Sequence, residues 1–328
     1  MTEETPKKSK QAKRLSKAKQ RLIERGLEIL DNPNAPPDPA YMARELVQCT
    51  LPYKNPGDVP VWTRRNGNLS LGIQPGWDYK NDTCIGFPYG TIPRLLLFWL
   101  TTEAVKKKSR HIQLGESLAQ FIRELGLDPS RGGKRSDARR LKDQMARLFN
   151  ARISFQREIS RATKLPNGTI SRERQHGTAW LNMEVAPRGE LWWSEERPEQ
   201  PTLWESWIEL GEDFYRAITS SPVPVDMKTL RELKNSPLAL DLYAWLTHEA
   251  YRVYNKGEPR FVAWSLLMEQ FGTGYTDPKN FGRDAKEALR KIEAGYPLLK
   301  LGELRGGVTI EPESFPSIRP KKPPLLPS

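Results

Sequence analysis

The chain has 328 residues, with 52 Lys and Arg against 40 Asp and Glu for a formal charge of +12, and 37% of its residues are hydrophobic. That length accommodates two ordinary domains of roughly 100–200 residues each, and the modest apolar fraction predicts that part of the chain is tail or linker. The longest apolar run, Leu95–Leu100, falls far short of the ~20 residues a bilayer needs, and the charged first thirty residues predict no secretory signal.

In chain order, Met1–Arg25 holds nine basic residues against Glu3, Glu4 and Glu24, which is +6 of the +12. It reads as a solvated basic arm, helical over about 16–30. Four prolines within Asp31–Pro39 break that helix. Cys49 and Cys84 form no paired pattern, as expected of a cytoplasmic protein. Val61–Ile73 reads as a hairpin turning at Asn66-Gly67 and packing on the first domain.

The architecture rests on an internal echo: Trp99-Leu-Thr-Thr-Glu-Ala104 recurs 146 residues later as Trp245-Leu-Thr-His-Glu-Ala250. Similar patterns follow both copies, which indicates a diverged duplication. In the first copy the spacing predicts a helix over Pro93–Lys106, a strand His111–Leu114 and a helix Ser117–Leu125 with Leu118, Phe121, Ile122 and Leu125 inward. After the basic turn Arg131–Arg135, Ser136 caps a third helix that buries Leu141, Met145, Leu148 and Phe149. Alternating segments at 151–156, 179–185 and 190–193 follow, with Asn167-Gly168 as a hairpin turn.

Residues 198–224 read as a connecting segment with one amphipathic piece near Trp204, Ile208 and Leu210. The second copy predicts a helix over Pro237–Tyr254, a strand Arg260–Val262 and a helix Ser265–Phe271. A turn at Gly272 and Gly274 leads to a helix over about 281–294, and then to a hairpin of 298–301 with 308–311 folded at Gly306-Gly307. Helix, strand, helix, turn, helix, hairpin is the winged-helix order. The expected fold is therefore α+β, two tandem winged-helix domains with a basic N-terminal arm and a Pro-rich C-terminal tail. The limits are 1–40 for arm and linker, 41–197 for the first domain, 198–225 for the connection, 226–315 for the second domain and 316–328 for the tail.

Catalysis finds little support. No two of His111, His176 and His248 stand at metal-ligand spacing, and no His–hydrophobe–His motif is present. Gly132-Gly-Lys-Arg135 is not a phosphate loop, because Asp128 stands where the first glycine belongs and Arg135 replaces the Ser or Thr after the lysine. No enzyme activity, metal or cofactor is expected.

Nucleic-acid binding is better supported. In the first copy Arg139, Arg140, Lys142 and Arg147 lie off the apolar stripe of the third helix, flanked by Arg131, Lys134, Arg135 and Arg152. Such a helix fits a major groove; the bland alternative is a solvated helix laced by pairs such as Asp143–Arg147. The matching helix of the second copy offers Lys279, Asn280, Arg283, Lys286, Arg290 and Lys291. Its Asn and Arg suit adenine and guanine edges, although Arg283–Glu287 also reads as a surface ion pair. Lys300 and Arg305 would be wing contacts to phosphate. Arg157, Arg161, Lys164, Arg172 and Arg174 decorate the first hairpin, which either meets a groove or backbone or is a mobile loop. Of the ten tryptophans, Trp99, Trp245 and Trp264 read as core, and Trp62, Trp77, Trp192 and Trp193 as buried beneath hairpins or in an interface.

The stretch Ile85-Gly-Phe-Pro-Tyr-Gly-Thr-Ile-Pro-Arg-Leu-Leu-Leu-Phe-Trp-Leu-Thr-Thr-Glu-Ala-Val105 resembles the RepA family of plasmid replication initiators, and the likeness continues through Gln113–Leu127 and the basic helix to Phe155. It extends more loosely over about 45–316. The resemblance implies a protein that binds repeated duplex sites at a plasmid origin, helps open adjacent A·T-rich DNA and recruits the host replicative helicase and host initiator. It also implies homodimers, repression of its own promoter in copy control, and a first domain that serves dimerisation as well as DNA contact. A winged-helix transcriptional regulator, an RNA-associated basic protein and a nickase with unfamiliar motifs are the competing readings.

Overall fold

The computed structural model describes residues 16–318 apart from 33–37, 131–135, 165–169, 194–196, 198, 201–204 and 273. The basic turn 131–135, the Asn167-Gly168 turn and the tail from 319 therefore lie outside the described residues.

The chain opens with α1 (Lys17–Asp31), capped by the Ser16 hydroxyl, which accepts the Lys19 amide. β1 (Pro39–Met42) and α2 (Arg44–Gln48) precede the expected hairpin, β2 (Trp62–Asn66) and β3 (Leu69–Gln74). The two-residue turn falls at Gly67-Asn68, one residue later than expected, because Asn66 still pairs with Leu69, and Gly67 takes the left-handed φ of +57° that its first position requires. A very short hairpin, β4 (Trp77–Asp78) and β5 (Thr83–Cys84), comes next.

The first repeat is α3 (Thr91–Lys107), β6 (His111–Gln113), α4 (Leu118–Glu124), α5 (Asp137–Phe149), β7 (Arg152–Lys164), β8 (Ile170–Glu184) and β9 (Arg188–Glu190). Ser117 and Ser136 cap α4 and α5 through the amides of Gln120 and Arg139. β10 (Trp207–Glu209), α6 (Glu212–Ser220), β11 (Val223–Asp226) and α7 (Met227–Glu232) lead to the second repeat. That repeat consists of α8 (Pro237–Lys256), β12 (Arg260–Ala263), α9 (Trp264–Phe271), α10 (Pro278–Gly295) and β13 (Gly307–Ile310).

The echoed helices α3 and α8 form the centre. Both are apolar nearly all round and buried along most of their length, as a helix without a polar face must be. They are joined by a buried ion pair. The Arg94 guanidinium, 2% exposed, meets both oxygens of Asp241 at 2.8 and 2.9 Å and donates to the carbonyls of Leu51, Pro52 and Gly90. β2-β3-β7-β8 form one antiparallel sheet; β10 lies between β6 and β9 in another; β11 pairs with β1, and β13 with β12.

Several expectations need correction. The described part of the basic arm is not solvated on all sides: α1 packs against α7 and against α10 of the second repeat. Leu22 is 2% exposed, and Gly26 lies so close to the Ala294 carbonyl that a Cβ there would stand 2.2 Å from its oxygen. Arg25 reaches Asp226 with two hydrogen bonds, at 3.2 and 2.9 Å. The final hairpin of 298–301 with 308–311 shrinks to a single bridge, Leu301 with Ile310. The Leu299 amide closes a turn onto the Tyr296 carbonyl, so few residues remain to face β13, which takes β12 as its partner from Arg260↔Ile310 to Ala263↔Gly307. The strand at 190–193 lies instead at Arg188–Glu190, and Trp193 leaves the sheet to pack against Phe121, ring to ring at 5.2 Å. Residues 198–225 contain β10 and α6, and α6 packs on β8 and α3.

Candidate nucleic-acid interface

Two outward helix faces carry the predicted cations. α5 buries Ala138, Leu141, Met145, Leu148 and Phe149, which leaves Arg139, Arg140, Lys142 and Asp143 exposed on its other side. Arg139 has no carboxylate within ion-pair distance among the described residues. Arg140 holds Asp137 at 3.1 Å while remaining half exposed. Arg147 is far more committed: both oxygens of Asp143 lie 3.0 Å from its Nε, the Phe87 carbonyl accepts from Nη1, and the Tyr89 ring lies 5.5 Å away. Its guanidinium thus props the loop at 86–89, which Gln144 also holds by accepting the Tyr89 amide at 2.9 Å. Arg131, Lys134 and Arg135 fall outside the described residues.

α10 starts at Asp277, whose carboxylate accepts the Lys279 amide, and at Pro278, whose missing amide costs nothing in a first turn. Phe281, Ala285, Ala288, Leu289 and Ile292 face inward; Lys279, Asn280, Arg283 and Arg290 face solvent. Arg283 does not pair with Glu287 as expected. It holds the adjacent Asp284 at 3.0 Å, and Glu287 takes Lys291 at 2.7 Å. Hydrogen bonds from Arg283 and the Tyr275 hydroxyl hold the Asp284 carboxyl below its ordinary value, while burial and Asp284 together push Tyr275 up to about 12. Lys286 is half-buried, with its ammonium 5.9 Å from the Trp264 ring. Lys300 is exposed and donates to the Pro297 carbonyl, and Arg305 is exposed in the loop before β13.

The β7–β8 ladder runs out to Lys164↔Ile170, with an irregularity between Ala162 and Lys164. Arg157 is half-buried; the side chains of Arg161, Lys164, Arg172 and Arg174 lie outside the described ones. Exposed aromatics were less legible. Trp180 on β8 is 72% exposed, and Tyr79, at the turn between β4 and β5, is 90% exposed. Asp78 organises that turn by accepting the Lys80 and Asn81 amides, so Asp-x-x-Asn is the signal that could have revealed it. Trp62, Trp99, Trp245 and Trp264 are buried, whereas Trp77 and Trp192 are about half exposed. Of the histidines, His111 stacks on Trp207 at 4.9 Å, His248 meets Glu249 at 3.2 Å and His176 is exposed. Among the described residues no His, Cys, Asp and Glu cluster could hold a metal ion, and no helix is long and apolar enough to cross a membrane.

The family model described as plasmid-encoded RepA protein matches residues 87–266. No curated protein is significantly similar in sequence. Among solved structures, the crystal structure of RctB domains 2–3 is similar with a TM-score of 0.47 at 12% identity, covering 81% of this chain and 94% of that one. The selenomethionine derivative of domains 2 and 3 of RctB gives 0.44 at 13% identity, covering 79% and 93%.

Proposed function

This chain belongs to the RepA family of plasmid-encoded replication initiators, whose model covers more than half of its length, and from that premise we propose that it recognises repeated duplex sites at a plasmid origin with two winged-helix domains, residues 41–197 and 226–315. The observation that carries this reading is the pair of outward basic faces, on α5 and α10, at the same step of two copies of one element order. Arg139, Arg140 and Lys142 contact phosphates, and Asn280 and Arg283 at the start of α10 read base edges. Lys279, Lys286, Arg290, Lys300 and Arg305 hold the flanking backbone, as do Arg131, Lys134 and Arg135 beside α5, whereas Arg147 braces the loop at 86–89 instead.

Binding of several copies bends the duplex. Smooth bending of a 20–30 bp site costs of order 1–6 kcal/mol, and A·T-rich pyrimidine–purine steps yield most readily. On this reading the bound array opens adjacent DNA in the cytoplasm and presents it to the host initiator and replicative helicase; a homodimer of the same protein represses its own promoter. The test is binding of the full chain to duplexes tiled across plasmid DNA beside its gene, against random duplex and RNA at ~0.15 M salt, where non-specific dissociation constants are typically 10⁻⁴–10⁻⁶ M. Tight, stepwise binding to a tandem-repeat segment is expected. Replacing Arg139 and Arg140 with Ala flattens the salt dependence by about one unit per lost phosphate contact, and Asn280→Ala relaxes base preference by about 1–3 kcal/mol. Uniform weak binding, or tighter binding to RNA, refutes the reading.

A further inference from the structure

The hairpin β2–β3 and the end of α9 face each other across a cleft of about 630 Å³ lined by Thr63, Arg64, Arg65, Met268, Glu269 and Gly272. Arg64 is only 6% exposed. It donates to the Gln270 carbonyl and lies 5.2 Å from the Trp62 ring and 6.0 Å from that of Tyr53. Among the described residues no carboxylate comes within ion-pair distance of it. The neighbouring buried Arg94 is in the opposite state, because it occupies both oxygens of Asp241. The two guanidinium groups buried here thus have one carboxylate near them, Asp241, and Arg94 already holds both of its oxygens. A guanidinium has five N–H donors, and a buried charge is ordinarily paired.

We propose that this cleft is a phosphate-binding site, with Arg64 as its buried cation and Arg65 as its rim cation. The arginine fork matches two oxygens of a phosphate at once, and its weak hydration suits a half-dry cleft. Successive residues of a strand point to opposite faces, yet Arg64 and Arg65 line one cleft because β2 is the outer strand of its sheet. Glu269 lies on the rim, so the three charged residues of the cleft sum to +1. Arg65 donates through Nε to the Gly67 carbonyl at 3.1 Å and pairs through Nη2 with Glu158 at 3.0 Å, and since both side chains of that pair are about two-thirds exposed, the ion pair is easily exchanged. The cleft reaches Gly272, at the turn into α10. The phosphate is thus either a backbone phosphate of DNA lying on α10, which rests on the function proposed above, or that of a free phosphate compound, which does not.

The experiment titrates inorganic phosphate against chloride at matched ionic strength into the full chain, read by melting temperature and by calorimetry. Saturable binding is expected, weakened about tenfold or more in Arg65→Gln and lost in Arg64→Lys, which keeps the charge and removes the fork. Should Arg64→Lys fail to fold, Arg65→Gln decides. Absence of saturable binding by the natural protein, or an unchanged affinity in Arg65→Gln, overturns the site. Given binding, a salt slope on origin duplex lowered by about one in Arg65→Gln identifies a DNA phosphate, and an unchanged slope identifies a free phosphate compound. Failure of Asn280→Ala to alter base preference tells against the DNA-reading function alone and leaves the phosphate titration standing.

Discussion

Replacing Asp241 with Ala removes the only carboxylate that meets Arg94 among the described residues, and the cost follows from the contacts. Two charge-assisted hydrogen bonds, at 2.8 and 2.9 Å, disappear, each worth about 1.5–3 kcal/mol. Arg94 stays buried at 2% exposure, held by carbonyl oxygens but without a counter-charge. Breaking a buried pair in this way costs about 3–5 kcal/mol, a large part of the ~5–15 kcal/mol that holds an ordinary protein folded. Urea unfolding followed by tryptophan fluorescence and by circular dichroism measures it, and the melting temperature should fall by roughly 5–15 °C. The duplication suggests the compensating change, since the positions matching Arg94 and Asp241 in the other repeat are Leu240 and Leu95. Arg94→Leu combined with Asp241→Leu removes both charges. It should be more stable than the sum of the single losses by at least about 2 kcal/mol, with the Leu51 and Gly90 carbonyls keeping the recovery incomplete. A loss below ~1 kcal/mol for Asp241→Ala, or a double variant additive to within about 0.5 kcal/mol, would refute the claim that this pair holds the repeats together.

Gly26→Val should detach α1, because its Cβ meets the Ala294 carbonyl; trypsin should then cut at Arg21 and Arg25 while the remainder of the fold persists, at a cost of about 1–3 kcal/mol. Glu249 is buried, which opposes its ionisation, but the hydrogen bond from His248 and the charges of Arg260 and Arg252 prevail and hold it below its ordinary value of 4.5. Its stabilising contribution is complete above that value and lost as the pH falls through the lower folded-state value, so denaturant midpoints taken from pH 6 downward should decline more shallowly in Glu249→Gln over that acid range. Cys49 is buried, with its thiol pushed up to about 12 by desolvation, while Cys84 is exposed. A thiol reagent at mild pH should modify one cysteine in the native protein and two in urea; fast reaction of both would show that the β3 side of the core opens readily.

Local signals carried much of this architecture. Ser117 and Ser136 before apolar stripes, Pro237 at a helix start, and the Asn-Gly pair between alternating segments act within a few residues, so their helices and the hairpin were readable directly, with the turn one residue later than expected and the start of α10 three residues earlier. The Trp-Leu-Thr-x-Glu-Ala echo likewise disclosed the duplicated plan, and the helical period exposed the basic faces of α5 and α10. Partners distant in sequence were not readable. Nothing local marks Gly26 as the point where α1 meets Ala294, or Asp241 as the counter-charge of Arg94, because each depends on elements brought together across more than a hundred residues. The same holds for strand pairing: β13 keeps one bridge to its neighbour at Leu301 but takes its ladder partner from the more distant β12. Charge shows the limit most clearly. Composition sets +12 for the chain, but only packing separates Arg147, spent on Asp143 and Phe87, from Arg139 facing solvent, and leaves Arg64 buried with no carboxylate within ion-pair distance among the described residues, since a side chain's availability depends on what the fold places within a few ångströms of it.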